Sequence, residues 1–170
     1  MNKPSPITIT RNGVTKQYGL DLVCSGYLIS NTKVLLVRHK GFDKWVPPGG
    51  HIEAEETFAQ VACREFLEET GLSVDAVSAS ELYFNDSNAR TEPVPFHTDV
   101  LSEGFARPTL TQYFYVRLAP GASERIVPQQ AEVHEVAWFS ADDIDKLVTF
   151  EQVKVLARHV ISHHPDSTRN

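Results

Sequence analysis

Cysteine is nearly absent from this chain: Cys24 and Cys63 are the only two in 170 residues. Cys24 lies in an apolar, strand-like run and Cys63 on an apolar helical stripe. Both read as small core residues, and so small a count argues against a disulfide. Long hydrophobic runs are missing too. Nothing approaches the roughly 20 apolar residues that a membrane-spanning helix needs, and Met1-Asn-Lys-Pro-Ser-Pro6 has no apolar core of a secretion signal. The default expectation is a cytoplasmic protein. Positive charge is in deficit, with 16 Lys and Arg against 22 Asp and Glu and a net charge of −6. That balance argues against a nonspecific grip on a nucleic acid polymer or an anionic membrane. It leaves open small nucleotides, which can bring their own metal ion. Internal repeats are lacking as well, and the length suits one domain over 1–170.

What is present is a mixture of strand and helix patterns. Ile7 to Thr10 is β-prone, and Arg11-Asn12-Gly13 reads as a turn. Leu20 to Ile29 is a dense apolar run, turned by Ser30-Asn31-Thr32 into Lys33–His39, which reads as a hairpin. Ser73 to Phe84 should hold one or two strands. Residues 85–108 show little periodicity, and a loop of that length in a compact domain is commonly functional. Thr109 to Leu118 and Val133 to Phe139 read as strands. Ser140 with Asp143 caps a short helix expected to end near Val148. Thr149 with Gln152 reads as a second capping box, opening a helix with Phe150, Val153, Leu156, Ala157, Val160 and Ile161 on one side. The tail from His163-His164 onward is polar and expected to be loose.

One stretch, 50–72, carries the chemistry. Thr57 and Gln60 form a capping box, Ala59, Ala62, Cys63, Phe66 and Thr70 make an apolar stripe, and Gly71 supplies the left-handed stop. On this helix Glu65, Glu68 and Glu69 lie on neighbouring positions of one face. Three carboxylates so placed repel one another near the negative end of the helix dipole. Arg64 is the nearby helical cation. A solvated acidic face is the ordinary outcome of such a run; a hard divalent cation such as Mg²⁺ or Mn²⁺ is the other way to relieve it.

The spacing decides between them. Gly50, Glu56, Arg64, Glu65, Glu68, Glu69, Gly71 and Leu72 together resemble the signature box of the Nudix (MutT-like) hydrolases. From average residue frequencies, a chance match at these eight positions is on the order of 10⁻⁷. Phe66 departs from the family's aliphatic preference, and it sits on the packing stripe. Trp45-Val-Pro-Pro-Gly49-Gly50 just before the box and Glu135-Val-Ala-Trp138-Phe139 near the end are similar to the family as well. The resemblance implies an α/β/α sandwich with a mixed β-sheet. It also implies metal-dependent hydrolysis of a phosphoanhydride in a nucleoside diphosphate linked to another moiety, a (d)NTP or oxidised dNTP included. Glu65, Glu68 and Glu69 are the implied ligands, with a backbone carbonyl from Gly49 or Gly50. Glu68 is either a ligand or the group that deprotonates water. Arg64 is implied to orient Glu56 through an ion pair.

Outside the box the sequence offers candidates rather than assignments. Glu103, Asp99, His97, Glu124 and Glu132 could each be a general base on a variable loop, and Glu103 is preferred for its place in the long loop. Arg38, His39 and Lys40 could hold a terminal phosphate. Phe96 and Tyr113, with Phe84 and Tyr115, could stack a base, although strand aromatics are commonly core. Two other uses of the fold need weighing. Isopentenyl diphosphate isomerases require a catalytic cysteine, for which neither cysteine here is suited. Silent nucleotide-sensing modules typically lose box carboxylates, and here all are intact. A small nucleotide partner is expected, with a monomer or homodimer as the assembly.

Overall fold

The computed structural model describes residues 7–102, 107–129 and 131–167. Asn12 and Gly13 take φ of 51° and 75°, the left-handed pair of a tight hairpin turn. They join β1 (Ile7–Arg11) to β2 (Val14–Tyr18), an antiparallel pair forming its own small sheet.

The main sheet contains β3 (Asp21–Ser30), β4 (Lys33–His39), β5 (Lys44–Val46), β6 (Gly49–His51), β7 (Val74–Val77), β8 (His97–Leu101), β9 (Thr109–Leu118) and β10 (Val133–Phe139). Its order is β10-β4-β3-β9-β7, with β5 on β4, β6 on β3 and β8 on β9. β3 and β9 run parallel and the other neighbours antiparallel, so the sheet is mixed. Among the described residues there are three helices: α1 (Phe58–Thr70), α2 (Ala141–Ile144) and α3 (Glu151–His163).

The two-residue period of the strands sorts their side chains between two cores. Cys24 and Leu28 of β3, Leu35 of β4, and Phe114 and Val116 of β9 pack with Ala59, Val61, Ala62 and Phe66 of α1. The alternate residues Tyr27, Val34, Leu36, Tyr113 and Tyr115 pack with Val153, Leu156, Ala157 and Val160 of α3. This is the α/β/α sandwich expected from the sequence. α1 begins and ends where its signals stand. Thr57 Oγ1 accepts the Gln60 amide, Gln60 Oε1 accepts the Thr57 amide, and Gly71 at φ 76° closes the helix.

The β3–β4 hairpin is what makes room for a site. Beside the turn, Ile29 pairs with Val34 and Ser30 with Lys33. Farther out the strands part. β6 then fills the edge of β3 at Val23–Ser25, and β5 fills the edge of β4 at Val37–His39.

Several expectations need correction. The irregular segment is 78–96 rather than 85–108, because His97–Leu101 pairs with β9 as β8. The expectation of one or two strands within 73–84 holds, with β7 as the one. α2 stops at Ile144, four residues short of Val148. Thr149 does not cap α3: its hydroxyl goes to the Trp45 carbonyl instead, and Phe150 is the cap residue without a side-chain bond. The tail is packed at least as far as Ser167. His164 is buried, its Nε2 bonded to the Val116 carbonyl at 3.0 Å and its Nδ1 accepting the Asp166 amide at 3.1 Å.

Candidate functional site

The acidic face of α1 meets the inserted strand β6. Glu69 is 2% exposed, and its Oε2 accepts the Gly49 amide at 3.1 Å. Gly50 crosses directly over Glu65: a Cβ there would stand 2.1 Å from Glu65 Oε1. Gly49 is equally tight, since a Cβ would lie 2.2 Å from Ser25 Oγ. The Gly-Gly pair is thus a steric requirement of bringing β6 between β3 and the carboxylates.

Arg64 ties the acidic groups together. Its Nε and Nη2 clamp Glu56 at 2.7 and 3.1 Å, a two-point pairing. Nη1 reaches Glu65 at 2.8 Å and Glu68 at 3.3 Å, and Nη2 also holds the His51 carbonyl at 3.0 Å. The Arg64 hydrogen bonds hold the Glu56 carboxyl below its ordinary range. Burial acts the other way deeper in the site. It raises Glu65 against the pull of Arg64. It pushes Glu69 up to about 8, with the charges of Glu65, Glu132 and Glu68 adding to the rise and the Gly49 amide opposing it. Buried carboxylates in mutual repulsion are short of positive charge.

A second cluster, drawn from distant parts of the chain, borders Glu69. His39 at the end of β4, Glu69 of α1 and Glu132 just before β10 bring their ligand-type atoms within 4.8 Å of one another. Backbone bonds fix this junction: the Lys40 amide donates to the Glu132 carbonyl at 2.8 Å, and the Gln129 amide to the Glu69 carbonyl at 3.3 Å. His39 is lowered by burial, with Glu132 opposing. The Gly41 amide donates to His39 Nδ1 at 3.0 Å. In the neutral ring this leaves the proton on Nε2, so His39 offers a donor there. The donor set of Glu65, Glu68, Glu69 and Glu132 is all oxygen, running from the buried Glu69 out to the exposed Glu68 and Glu132, and its chemistry fits a hard divalent cation.

The other sequence candidates are dispersed. Arg38 pairs with Asp43 at 2.8 Å. Tyr113 is buried, with its hydroxyl 3.2 Å from Asp99 on the α3 side. Asp99 serves that bond, and His97 lies beside the Tyr113 ring. Phe96 stacks on Tyr115 in the α3 layer. Glu124 is exposed on the 119–129 loop, and Glu103 falls outside the described residues. Glu132 was one candidate among five, and its distance from the box in sequence concealed its place beside Glu69. Both cysteines are free thiols. Burial pushes Cys24 up to about 12 and raises Cys63, which leaves neither disposed to act as a nucleophile.

These features have counterparts among known proteins. A hydrolase of the NUDIX family from Clostridium perfringens superposes with a TM-score of 0.71 at 25% identity, over 83% of this chain and 95% of that one. A MutT NUDIX hydrolase from Burkholderia pseudomallei shares the fold at a TM-score of 0.63 and 14% identity, over 83% and 98% of the two chains. In sequence, the chain is 32% identical over 130 residues to the Xenopus laevis protein named m7GpppN-mRNA hydrolase NUDT17, spanning 71% of this chain and 41% of that one. The Danio rerio protein of the same name is 42% identical over 66 residues, 35% of this chain and 22% of its own. The chain therefore spans less than half the length of these curated relatives. The NUDIX domain family matches residues 22–159, and with the box residues gathered as described, the chain belongs to that family.

Proposed function

We propose that this protein hydrolyses a phosphoanhydride bond in a nucleoside diphosphate linked to another moiety, with a divalent cation, Mg²⁺ or Mn²⁺, as cofactor. The observation that carries the reading is Glu69, a carboxylate buried among Glu65, Glu68 and Glu132 and pushed up to about 8. Such a group is costly as an anion unless a cation joins it.

Glu65, Glu68 and Glu69 would hold the ion, with Glu132 and a backbone oxygen of the Gly49-Gly50 strand beside them. When bound, the ion supplies neutralisation of the diphosphate and of the charge that grows on its oxygens during displacement. The chain's own residues do the rest. Arg64 holds Glu56 and aligns the face of α1. Glu132, exposed and within 4.8 Å of Glu69, would take a proton from an attacking water, in preference to Asp99, whose carboxylate is bonded to Tyr113 on the α3 side, and to His97. His39 presents its Nε2 donor to a phosphate oxygen. Its Nδ1 is already occupied by Gly41, which argues against the ring as a metal ligand. Close to it, Phe42, Phe150 and Lys44 form a ring-and-cation group that could receive an apolar or planar leaving portion.

The test is phosphate release with Mg²⁺ on a panel of dNTPs, oxidised dGTP, ADP-ribose, dinucleoside polyphosphates, nucleotide sugars and an m7GpppN cap compound, which the curated relatives' name brings in. Metal-dependent turnover of one class, lost in Glu69→Gln, is the expected result. Tight Mg²⁺-dependent nucleotide binding with no turnover anywhere would replace the hydrolase with a sensing module.

A further inference from the structure

The irregular segment 78–96 does not lie flat on the body. It rises as an arm whose residues 81 to 90 are all exposed. Its root is tied down. The Ala79 amide donates to the Val94 carbonyl at 3.0 Å, and Ser78 Oγ accepts the Ser80 and Val94 amides at 3.1 and 3.2 Å. Its tip is closed as a hairpin. The Thr91 amide donates to the Phe84 carbonyl and the Phe84 amide to Thr91 Oγ1, each at 2.8 Å, and Asp86 Oδ1 accepts the Asn88 and Ala89 amides. An arm built this way has little freedom to lose on binding.

Three consecutive large apolar residues ride on it. Leu82 is 80% exposed, Tyr83 77% and Phe84 53%. Together they present roughly 400 Å² to water, the size of the largest apolar patch on an ordinary monomer. None of the three belongs to either core.

The returning limb of the arm lines a cavity of about 490 Å³ on the α1 side. Pro93, Val94 and Pro95 border it together with Ile52, Phe58 and Phe114. Its polar lining is mostly engaged. Glu56 is clamped by Arg64, Thr57 Oγ1 caps α1, and Glu92 pairs with Arg90 at 2.9 Å. What is left is an apolar recess with the Gln112 carboxamide, which the alternation of β9 puts on the same face as Phe114. A tyrosine, with its apolar ring and single polar tip, suits such a recess.

Area decides what sits there. An arm seated in an unrelated groove buries roughly 400 Å² on its own side, half of the about 800 Å² per partner that a stable interface takes. A second copy brings both an arm and a groove. Because each arm is rooted at the rim of its own groove, one two-fold axis beside the roots seats each arm in the other's groove, and the closed pair reaches about 800 Å² per partner. Charge disfavours a nucleic acid or an anionic membrane instead: the arm carries Glu81, Asp86 and Glu92 against Arg90, on a chain of net charge −6.

We propose that the 81–92 arm is a dimerisation element exchanged between two copies of this chain, with Tyr83 of each copy seated in the other's Pro93–Pro95 groove. The pairing does not depend on the hydrolytic reading.

Sedimentation velocity on the wild-type chain should show a monomer–dimer equilibrium with a Kd in the micromolar range or below. Leu82→Asp and Tyr83→Asp should each weaken it about thirtyfold or more, the scale of a hot-spot residue. Their melting temperatures at high dilution should match the wild type, because the parent side chains are exposed in a single copy. The seating is read by photo-cross-linking with Tyr83→p-benzoylphenylalanine in an equal mixture of isotope-labelled and unlabelled protein. Cross-links joining a labelled to an unlabelled chain, at 52–59 or 92–95, are expected. A wild-type chain that stays monomeric at the highest concentration, a dimer indifferent to both substitutions, or cross-links confined to one chain or to other surfaces would overturn the proposal.

Discussion

On the α1 side of the sheet, Glu69 is nearly inaccessible, Glu65 and Glu68 stand close by, and Arg64 is shared among three carboxylates. On the α3 side, Tyr27, Phe96, Tyr113 and Tyr115 pack ring against ring, and the buried His164 has both nitrogens bonded. The sheet and its strands are common to both. The difference is that the α3 side is held by ring packing and hydrogen bonds within the protein, with the buried Tyr27 hydroxyl left without a partner among the described residues, whereas the α1 side gathers carboxylates around the buried Glu69, the group that the proposed cation would complete. Stability should therefore respond to pH and metal through one face and to packing through the other.

The largest effect should come from removing the buried carboxyl group. Glu69→Gln should cut Mg²⁺-dependent turnover by at least about a hundredfold in steady-state assays, the scale on which losing one charge-stabilising group acts. Without metal the same change should flatten a pH dependence. In the folded state Glu69 keeps its proton up to about 8, against an ordinary 4.5. Folding therefore retains a proton that the unfolded chain releases between those values, and metal-free stability should fall as pH rises across that window. Melting curves from pH 5 to 8 should show the decline in the wild type, relief of it by Mg²⁺, and a shallower slope in Glu69→Gln.

Next in size is Gly50→Ala. A methyl group 2.1 Å from Glu65 Oε1 forces strand and carboxylate apart. The expected cost is about 1–3 kcal/mol in denaturant unfolding, together with weaker Mn²⁺ binding by paramagnetic resonance. Arg64→Lys removes the two-point clamp on Glu56 and should cost about 2 kcal/mol. Phe96→Ala sharpens the contrast. It should lower stability by about 1 kcal/mol or more through lost ring stacking, with Mn²⁺ affinity unaltered. Thr57→Ala should be the mildest, about 1 kcal/mol of helix capping. An equal loss of Mn²⁺ affinity in Phe96→Ala and Gly50→Ala would dissolve the distinction between the faces.

The α1 side was legible in sequence because its parts lie within 23 contiguous residues and helix geometry turns spacing into position. Capping box, stripe and stop glycine each announce themselves locally. β9 and β10 were legible for the same reason, as alternating apolar runs. Glu132 was not, because its nearness to Glu69 depends on the β10–β4 pairing and on the splay of β3 from β4, both long-range outcomes. β8 was missed because its strand residues, His97 to Leu101, are largely exposed, leaving little alternation to read. The Thr149 hydroxyl was captured by a carbonyl 104 residues away, a competitor that local capping rules do not include. His164 looked like tail because its partner, the Val116 carbonyl, lies on another element.

Arg64 allots its hydrogen bonds unevenly. Nε and Nη2 are engaged by Glu56 and the His51 carbonyl, neither of which is among the proposed ligands, while Nη1 leans on Glu65 and Glu68, which are. An arriving ion would draw those two carboxylates away and leave the guanidinium anchored where it stands, with both Nη1 hydrogen bonds released. Metal affinity at such a site is then an exchange equilibrium, one cation displacing part of another, and its value will report the strength of the internal competitor as much as that of the ligands.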